Sequence, residues 1–122
     1  MPTAENISEN SVLTRLQELV QETDFEFVVE LIDIYINETP AQIKAIEKAL
    51  DVHDHQMLTI TAHTLKGSSL NLGAKQLGAA CFKLEELGRS NAPISTTIST
   101  KDIKCEFEKV KEILQAYKQN EQ

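Results

Sequence analysis

Ala62-His63-Thr64-Leu65-Lys66-Gly67-Ser68-Ser69-Leu70-Asn71-Leu72-Gly73-Ala74 is the stretch around which the rest of the chain is read. On a helix of about 3.6 residues per turn, Leu58, Ala62, Leu65, Ser69 and Leu72 share one face. They recur at spacings of four and three, the pattern of a helix lying on a core. His63 falls roughly 140° from the middle of that face. Its neighbours one turn away are Thr59, Ile60, Lys66 and Gly67. Leucines therefore turn inward, while an imidazole, an ammonium and a residue without a side chain turn to water. Glycine inside a helix costs roughly 1 kcal/mol relative to alanine, so Gly67 needs a reason. Clearance for a large partner approaching His63 supplies one.

Outward from this helix, the chain divides into further amphipathic segments with short links. Met1 to Asn10 is polar, lacks a period and is read as a flexible arm. Ser11 is positioned to cap a first helix with Val12, Leu13, Leu16, Leu19 and Val20 inward. Thr23-Asp24-Phe25-Glu26 reads as a capping box for a second helix carrying Val28, Leu31, Ile32 and Tyr35. Thr39-Pro40-Ala41-Gln42 repeats that pattern with Pro at the first helical position. The helix thus kinks or restarts at Pro40, and Ile43, Ile46 and Leu50 continue its apolar face. Asp51 or Asp54 caps the His63 helix, and Gly73 closes it as the glycine just past its end.

The next segment, from Ala74 to Gly88, buries Leu77, Cys81, Leu84 and Gly88, with Gly78, Phe82, Glu85 and Arg89 in a second stripe beside them. Asn91 to Ile98 holds Pro93 and a Ser/Thr run and reads as loop. Ser99 then caps a last helix with Ile103, Phe107, Val110, Leu114 and Tyr117 inward. Residues 120–122 are read as a frayed tail, leaving a single domain over 11–119. The fold class is all-α, an antiparallel four-helix bundle with one or two extra N-terminal helical segments.

Composition bounds the function. At 122 residues the chain suits one domain with a modest, mostly aliphatic core, since Trp is absent and aromatics are few. A net charge of -7 argues against a nucleic-acid surface or an anionic membrane. No apolar run reaches membrane-spanning length, and Met1 to Asn10 has no signal-peptide core. Cys81 and Cys105 make no disulfide framework and fit a reducing cytoplasm. His53 and His55 flank Asp54, but a His-x-His pair lacks the further ligands of a closed metal site. No metal ligand set is assigned. The chain also lacks a GxxxxGK[ST] phosphate loop and a paired acidic Mg²⁺ site, so it is not expected to use ATP.

Ala62-His63-Thr64-Leu65-Lys66-Gly67-Ser68-Ser69, followed by Asn71-Leu72-Gly73-Ala74, resembles the signature of histidine-containing phosphotransfer (HPt) domains of two-component phosphorelays. Leu77, Cys81, Leu84, Glu85, Gly88 and Arg89 resemble the family's next helix, and Phe27 to Leu50 is similar in its apolar spacing and in Pro40. The resemblance implies a helical bundle in which His63 accepts a phosphoryl group from a phospho-aspartyl receiver domain and passes it to another receiver. Such a chain is a phosphotransfer intermediate with no autokinase activity. A nucleophilic Nε2 requires the proton on Nδ1, and the resemblance implies that Glu85 accepts that N–H and orients the ring. Lys66, one turn after His63, would offset phosphoryl charge, and Arg89 would add a possible second contact. Two apolar stripes cannot both be buried in one small bundle, so Ile60, Leu70 and Phe82 are expected to stay exposed. With Thr59 and Gly67 they form the expected docking face.

The expected partners are receiver domains of response regulators or hybrid histidine kinases, with Mg²⁺ on the receiver and no cofactor on this chain. A cytoplasmic monomer is expected, and Met1 favours a free-standing protein over a piece of a sensor kinase. The rival reading is a receiver-binding helical module without phosphotransfer, which intact His63, Lys66 and Gly67 disfavour.

Overall fold

The computed structural model describes residues 4–95 and 97–120. Its elements are α1 (Ala4–Glu22), α2 (Phe25–Asp51), α3 (His55–Asn71), α4 (Lys75–Ser90) and α5 (Lys101–Asn120). The links from α2 to α3 and from α3 to α4 are only a few residues long, so these neighbours run antiparallel. Helices α2 to α5 form the bundle; α1 packs across α5, α2 and α4 as the one extra N-terminal element. Among the described residues, no helix is long and apolar enough to cross a membrane.

The periodic positions meet in one core. Val12 and Leu16 of α1, Val28, Ile32, Ile43 and Ile46 of α2, Leu58, Ala62 and Leu65 of α3, Leu77, Cys81 and Leu84 of α4, and Ile103, Phe107, Val110, Leu114 and Tyr117 of α5 are buried. The few aromatics knit helices together: Tyr35 meets Phe107 edge-on at 5.9 Å between ring centroids. The Tyr35 hydroxyl shares a 2.8 Å hydrogen bond with Ser69 Oγ, so the one polar residue in the α3 stripe is satisfied inside the core. Burial raises the Tyr35 phenol above its ordinary pKa, which keeps it neutral.

The structure redraws several helix boundaries of the sequence reading. First, α1 begins at Ala4, so the stretch read as a flexible arm is helical from there on. Ala4 to Asn10 holds no Gly or Pro to stop a helix that is anchored at Val12. Ser11 is consequently inside α1, and its hydroxyl donates to Gly73 O at 2.6 Å rather than capping. Second, Asp24, not Thr23, is the N-cap of α2: its carboxylate accepts from Phe27 N at 2.8 Å, while Thr23 Oγ1 donates back to Leu19 O. A capping carboxylate is favoured by the helix dipole, which moves the boundary by one residue.

Third, α2 runs through Pro40 as one helix, which rules out the restart of the two alternatives left open there. Thr39 Oγ1 donates to Tyr35 O at 2.6 Å instead of capping a new helix. Buried Tyr35, Thr39, Ile43 and Ile46 keep one face in register across the proline, and core burial outweighs the lost backbone bond. Fourth, α5 reaches Asn120, within the tail read as frayed; Glu121 and Gln122 lie outside the described residues. In addition, α4 runs on to Ser90 rather than Gly88, and α5 begins at Lys101, so Ser99 lies two residues before it and accepts from Lys101 N at 3.3 Å instead of standing at the N-cap. The ends of α3 match. Asp54 caps α3, accepting from Met57 N at 3.0 Å. Gly73, at φ +80°, closes it with Gly73 N→Leu70 O and Ala74 N→Ser69 O bonds, the paired pattern of a Schellman ending.

Candidate functional site

Helices α3 and α4 face each other in a constant antiparallel register. A Cβ placed on Gly78 would meet Leu70, Lys66 Nζ lies 5.1 Å over the Phe82 ring, His63 meets Glu85, and Gly88 sits against Thr59 and His55. This register brings together His63 and Lys66 from one helix with Glu85 and Arg89 from the other. Glu85 is at the centre. It is fully buried at 0 % exposure, whereas the His63 side chain on the crest above is 59 % exposed.

Three cationic or proton-donating groups converge on this one carboxylate. His63 Nδ1 lies 3.0 Å from Glu85 Oε2. Lys66 Nζ lies 2.7 Å from Oε1, and an Arg89 guanidinium nitrogen lies 2.6 Å from Oε2. The Lys66 ammonium does most to hold the Glu85 carboxyl below the ordinary carboxylate range. Burial opposes it, and the His63 and Arg89 contacts add to the lowering. Glu85 is therefore ionised at neutral pH, and an ionised carboxylate is acceptor-only. The His63 nitrogen facing it must carry the proton, which leaves Nε2 as the unprotonated nitrogen of the neutral ring. Cys81, one turn before Glu85 on the buried side, is pushed up to about 12 by burial and by the neighbouring carboxylate. It is an apolar core residue and not a nucleophile.

Of the residues expected at a docking face, Ile60, Leu70 and Phe82 are large apolar side chains that remain about half exposed. A Cβ on Gly67 would meet no atom within 4 Å, so this glycine borders open space. Thr59 differs from the others. It is half-buried, donates to His55 O at 2.9 Å and is pressed against Gly88. From the sequence, Glu85 is either an orienting group or a surface charge; its complete burial and its grip on both Lys66 and Arg89 depend on the α3–α4 register. The close approach at Gly88 is hidden from the sequence for the same reason. Its only signal there is a glycine on the apolar stripe that carries Leu77, Cys81 and Leu84.

Residues 30–120 match the Hpt domain family. The chain is 29 % identical over 80 residues to multistep phosphorelay regulator 1 of Schizosaccharomyces pombe, which covers 66 % of this chain. The matched part is only 27 % of that relative's length. The fold is similar to the crystal structure of histidine-containing phosphotransfer protein B from Pseudomonas aeruginosa PAO1, with a TM-score of 0.77 and 24 % identity. That likeness covers 89 % of this chain and 94 % of the other.

Proposed function

Because the chain belongs to the Hpt domain family, we propose that His63 is its phosphoryl carrier, loaded by the phospho-aspartate of one receiver domain and unloaded onto the aspartate of another. The observation that carries this reading is the pairing of a solvent-facing imidazole with a buried carboxylate at 3.0 Å from its Nδ1. In the forward step the Nε2 lone pair attacks phosphorus, the Nε2–P bond forms, and the bond from phosphorus to the aspartyl oxygen breaks. The aspartate leaves as a carboxylate. No proton moves: Nδ1 keeps its hydrogen, and the positive charge that develops on the ring is supported by Glu85. The reverse step runs through the same atoms.

Lys66 and Arg89 are each engaged with Glu85 but retain spare donors, since an ammonium has three and a guanidinium five. Those donors can meet the phosphoryl oxygens. Mg²⁺ belongs on the receiver. The Glu85 carboxylate is already shared among three partners, a poor start for a hard dication that wants several oxygen ligands.

Gly67 and the exposed Ile60, Leu70 and Phe82, with Thr59 at the edge, form the surface on which a receiver docks. Lys66 and Arg89 border it and suit a partner with an acidic pocket. We take the protein to act as a cytoplasmic monomer that neither binds ATP nor phosphorylates itself. Incubation with a phosphorylated receiver tests the reading. Acid-labile, base-stable label on this chain is expected, together with chemical-shift changes at Ile60, Leu70 and Phe82. Absence of label, or shifts confined to α5, would overturn it.

A further inference from the structure

We propose that Gly88 is a positioning residue for His63: its missing side chain sets the α3–α4 spacing at which Glu85 can reach Nδ1. The proposal rests on the phosphoryl-carrier reading for its functional meaning, but its structural content stands on the contacts alone.

The antiparallel register places Gly88 one turn past Glu85 on α4, opposite Thr59, which lies one turn before His63 on α3. The Gly88–Thr59 contact is thus the next rung beside the Glu85–His63 contact. A Cβ on Gly88 would sit 2.8 Å from both His55 O and Thr59 N, and nearer still to Thr59 Oγ1. Two of these atoms are backbone and cannot swing aside. The third is pinned, because Thr59 Oγ1 donates to His55 O at 2.9 Å. Gly88 has no left-handed backbone conformation to account for it; among the glycines only Gly73 has positive φ. Close approach is what requires a glycine here.

Carbon and backbone atoms settle at about 3.5 Å or more, so any side chain at 88 drives α4 outward by several tenths of an ångström. The three partners of Glu85 respond differently. Arg89 rides on α4 with Glu85, so their contact moves as a unit. Lys66 has a long flexible stem that can keep pace. His63 has two side-chain torsions and a rigid ring, and its bond to Glu85 is already 3.0 Å long. N–H···O bonds fade beyond about 3.2 Å. The displacement therefore falls on the one contact that fixes the His63 tautomer. Gly78 provides a contrast on the same helix. The three atoms nearest a Cβ there are Leu70 side-chain carbons, on a half-exposed residue that can swing aside.

The test is ¹⁵N NMR of the His63 ring together with the rate of labelling by phosphoramidate, a small donor with no docking surface. The parent is expected to hold its proton on Nδ1. Gly88→Ala is expected to relax towards the tautomer mixture of a solvated imidazole and to label about tenfold more slowly, the lower end of the loss seen when an orienting partner is removed. Gly78→Ala should keep the parental ring signature. If Gly88→Ala melts lower but retains the Nδ1–H tautomer and the labelling rate, Gly88 only packs, and the proposal is overturned. Equal loss in Gly78→Ala overturns it as well. Should Gly88→Ala not fold, Thr59→Ala/Gly88→Ala is compared with Thr59→Ala. Thr59→Ala removes the nearest clash and leaves the backbone ones, so a tautomer change between those two variants supports the role and an unchanged ring refutes it. A parent that takes no label from any phosphorylated receiver would defeat the carrier reading, while the ring signature would still decide the role of Gly88.

Discussion

Replacing Gly67 separates folding from docking in a single position. A Cβ at 67 meets nothing within 4 Å, so alanine there adds neither strain nor packing. What remains is helix propensity, which favours alanine over glycine by about 0.8–1.0 kcal/mol. For a chain of 122 residues that corresponds to a rise in Tm of about 3–6 °C. Glutamine is nearly as good a helix former, so Gly67→Gln should also melt at or above the parental temperature. Transfer should respond in the opposite direction. Residue 67 lies one turn from His63 on the same exposed side, and a receiver must bring its aspartate nearly in line with Nε2. A misplacement of about 1 Å can cost roughly 10²-fold in rate, so Gly67→Gln should slow transfer from a phosphorylated receiver by about that factor. Labelling by phosphoramidate should stay within about twofold of the parent, since a small donor needs no such clearance. The assay is a thermal melt by circular dichroism alongside the two labelling rates. A lowered Tm would show that Gly67 packs against something, and equal slowing with both donors would show that the lost step is nucleophilic attack.

His63→Gln should abolish labelling and leave the helical circular dichroism unchanged; label appearing on His53 or His55 would reassign the carrier. Glu85→Gln should flatten the acid limb of stability. The folded-state pKa of Glu85 is depressed, so its contribution is complete above the unfolded carboxyl value of about 4.3 and is lost as pH falls through the lower folded value. Melts from pH 7 to pH 3 should show the parent losing its margin over Glu85→Gln below about pH 4.3, and parallel curves would argue against an ionised Glu85 in the fold. Gly73→Ala should cost about 2–3 kcal/mol by urea unfolding. It forces a side chain into φ +80° and onto Arg15 Cβ at 2.8 Å, with the Ser11 carbonyl closer still. A cost under about 0.5 kcal/mol would mean that α1 shifts freely away.

The sequence reading recovers the core because burial repeats at helical spacing. Leu58, Ala62, Leu65 and Ser69 are all buried, and so are the five positions read inward on α5. The exposure of His63, Gly67, Ile60, Leu70 and Phe82 follows from the same periodicity, read for the opposite face. The sequence reading misses what depends on two helices at once. Glu85 comes after Cys81 and before Gly88 at helical spacing, yet nothing along the chain tells that its carboxylate is fully buried and holds Lys66 and Arg89 together. Helix ends are the other weak point. Asp24 and Thr23 are both good caps, and only the backbone decides between them. The start of α1 is hidden because Ala4 to Asn10 carries no apolar stripe to announce it.

The attachment of α1 bears on where this domain can be cut. The matched family region begins at residue 30, after α1 has ended. Yet Ser11 donates to Gly73 O at 2.6 Å and Arg15 Nε donates to Asn71 O at 2.9 Å, so α1 supplies hydrogen bonds to the terminating turn of the His63 helix. Val12 and Leu16, on the same helix, are fully buried in the core. A fragment trimmed to the matched region would retain His63, Lys66, Glu85 and Arg89. It would also strip two carbonyls of their donors and open the core that Val12 and Leu16 fill. A fragment that keeps the whole core therefore has to reach back past residue 30, through the first turns of α2 with buried Val28, to α1.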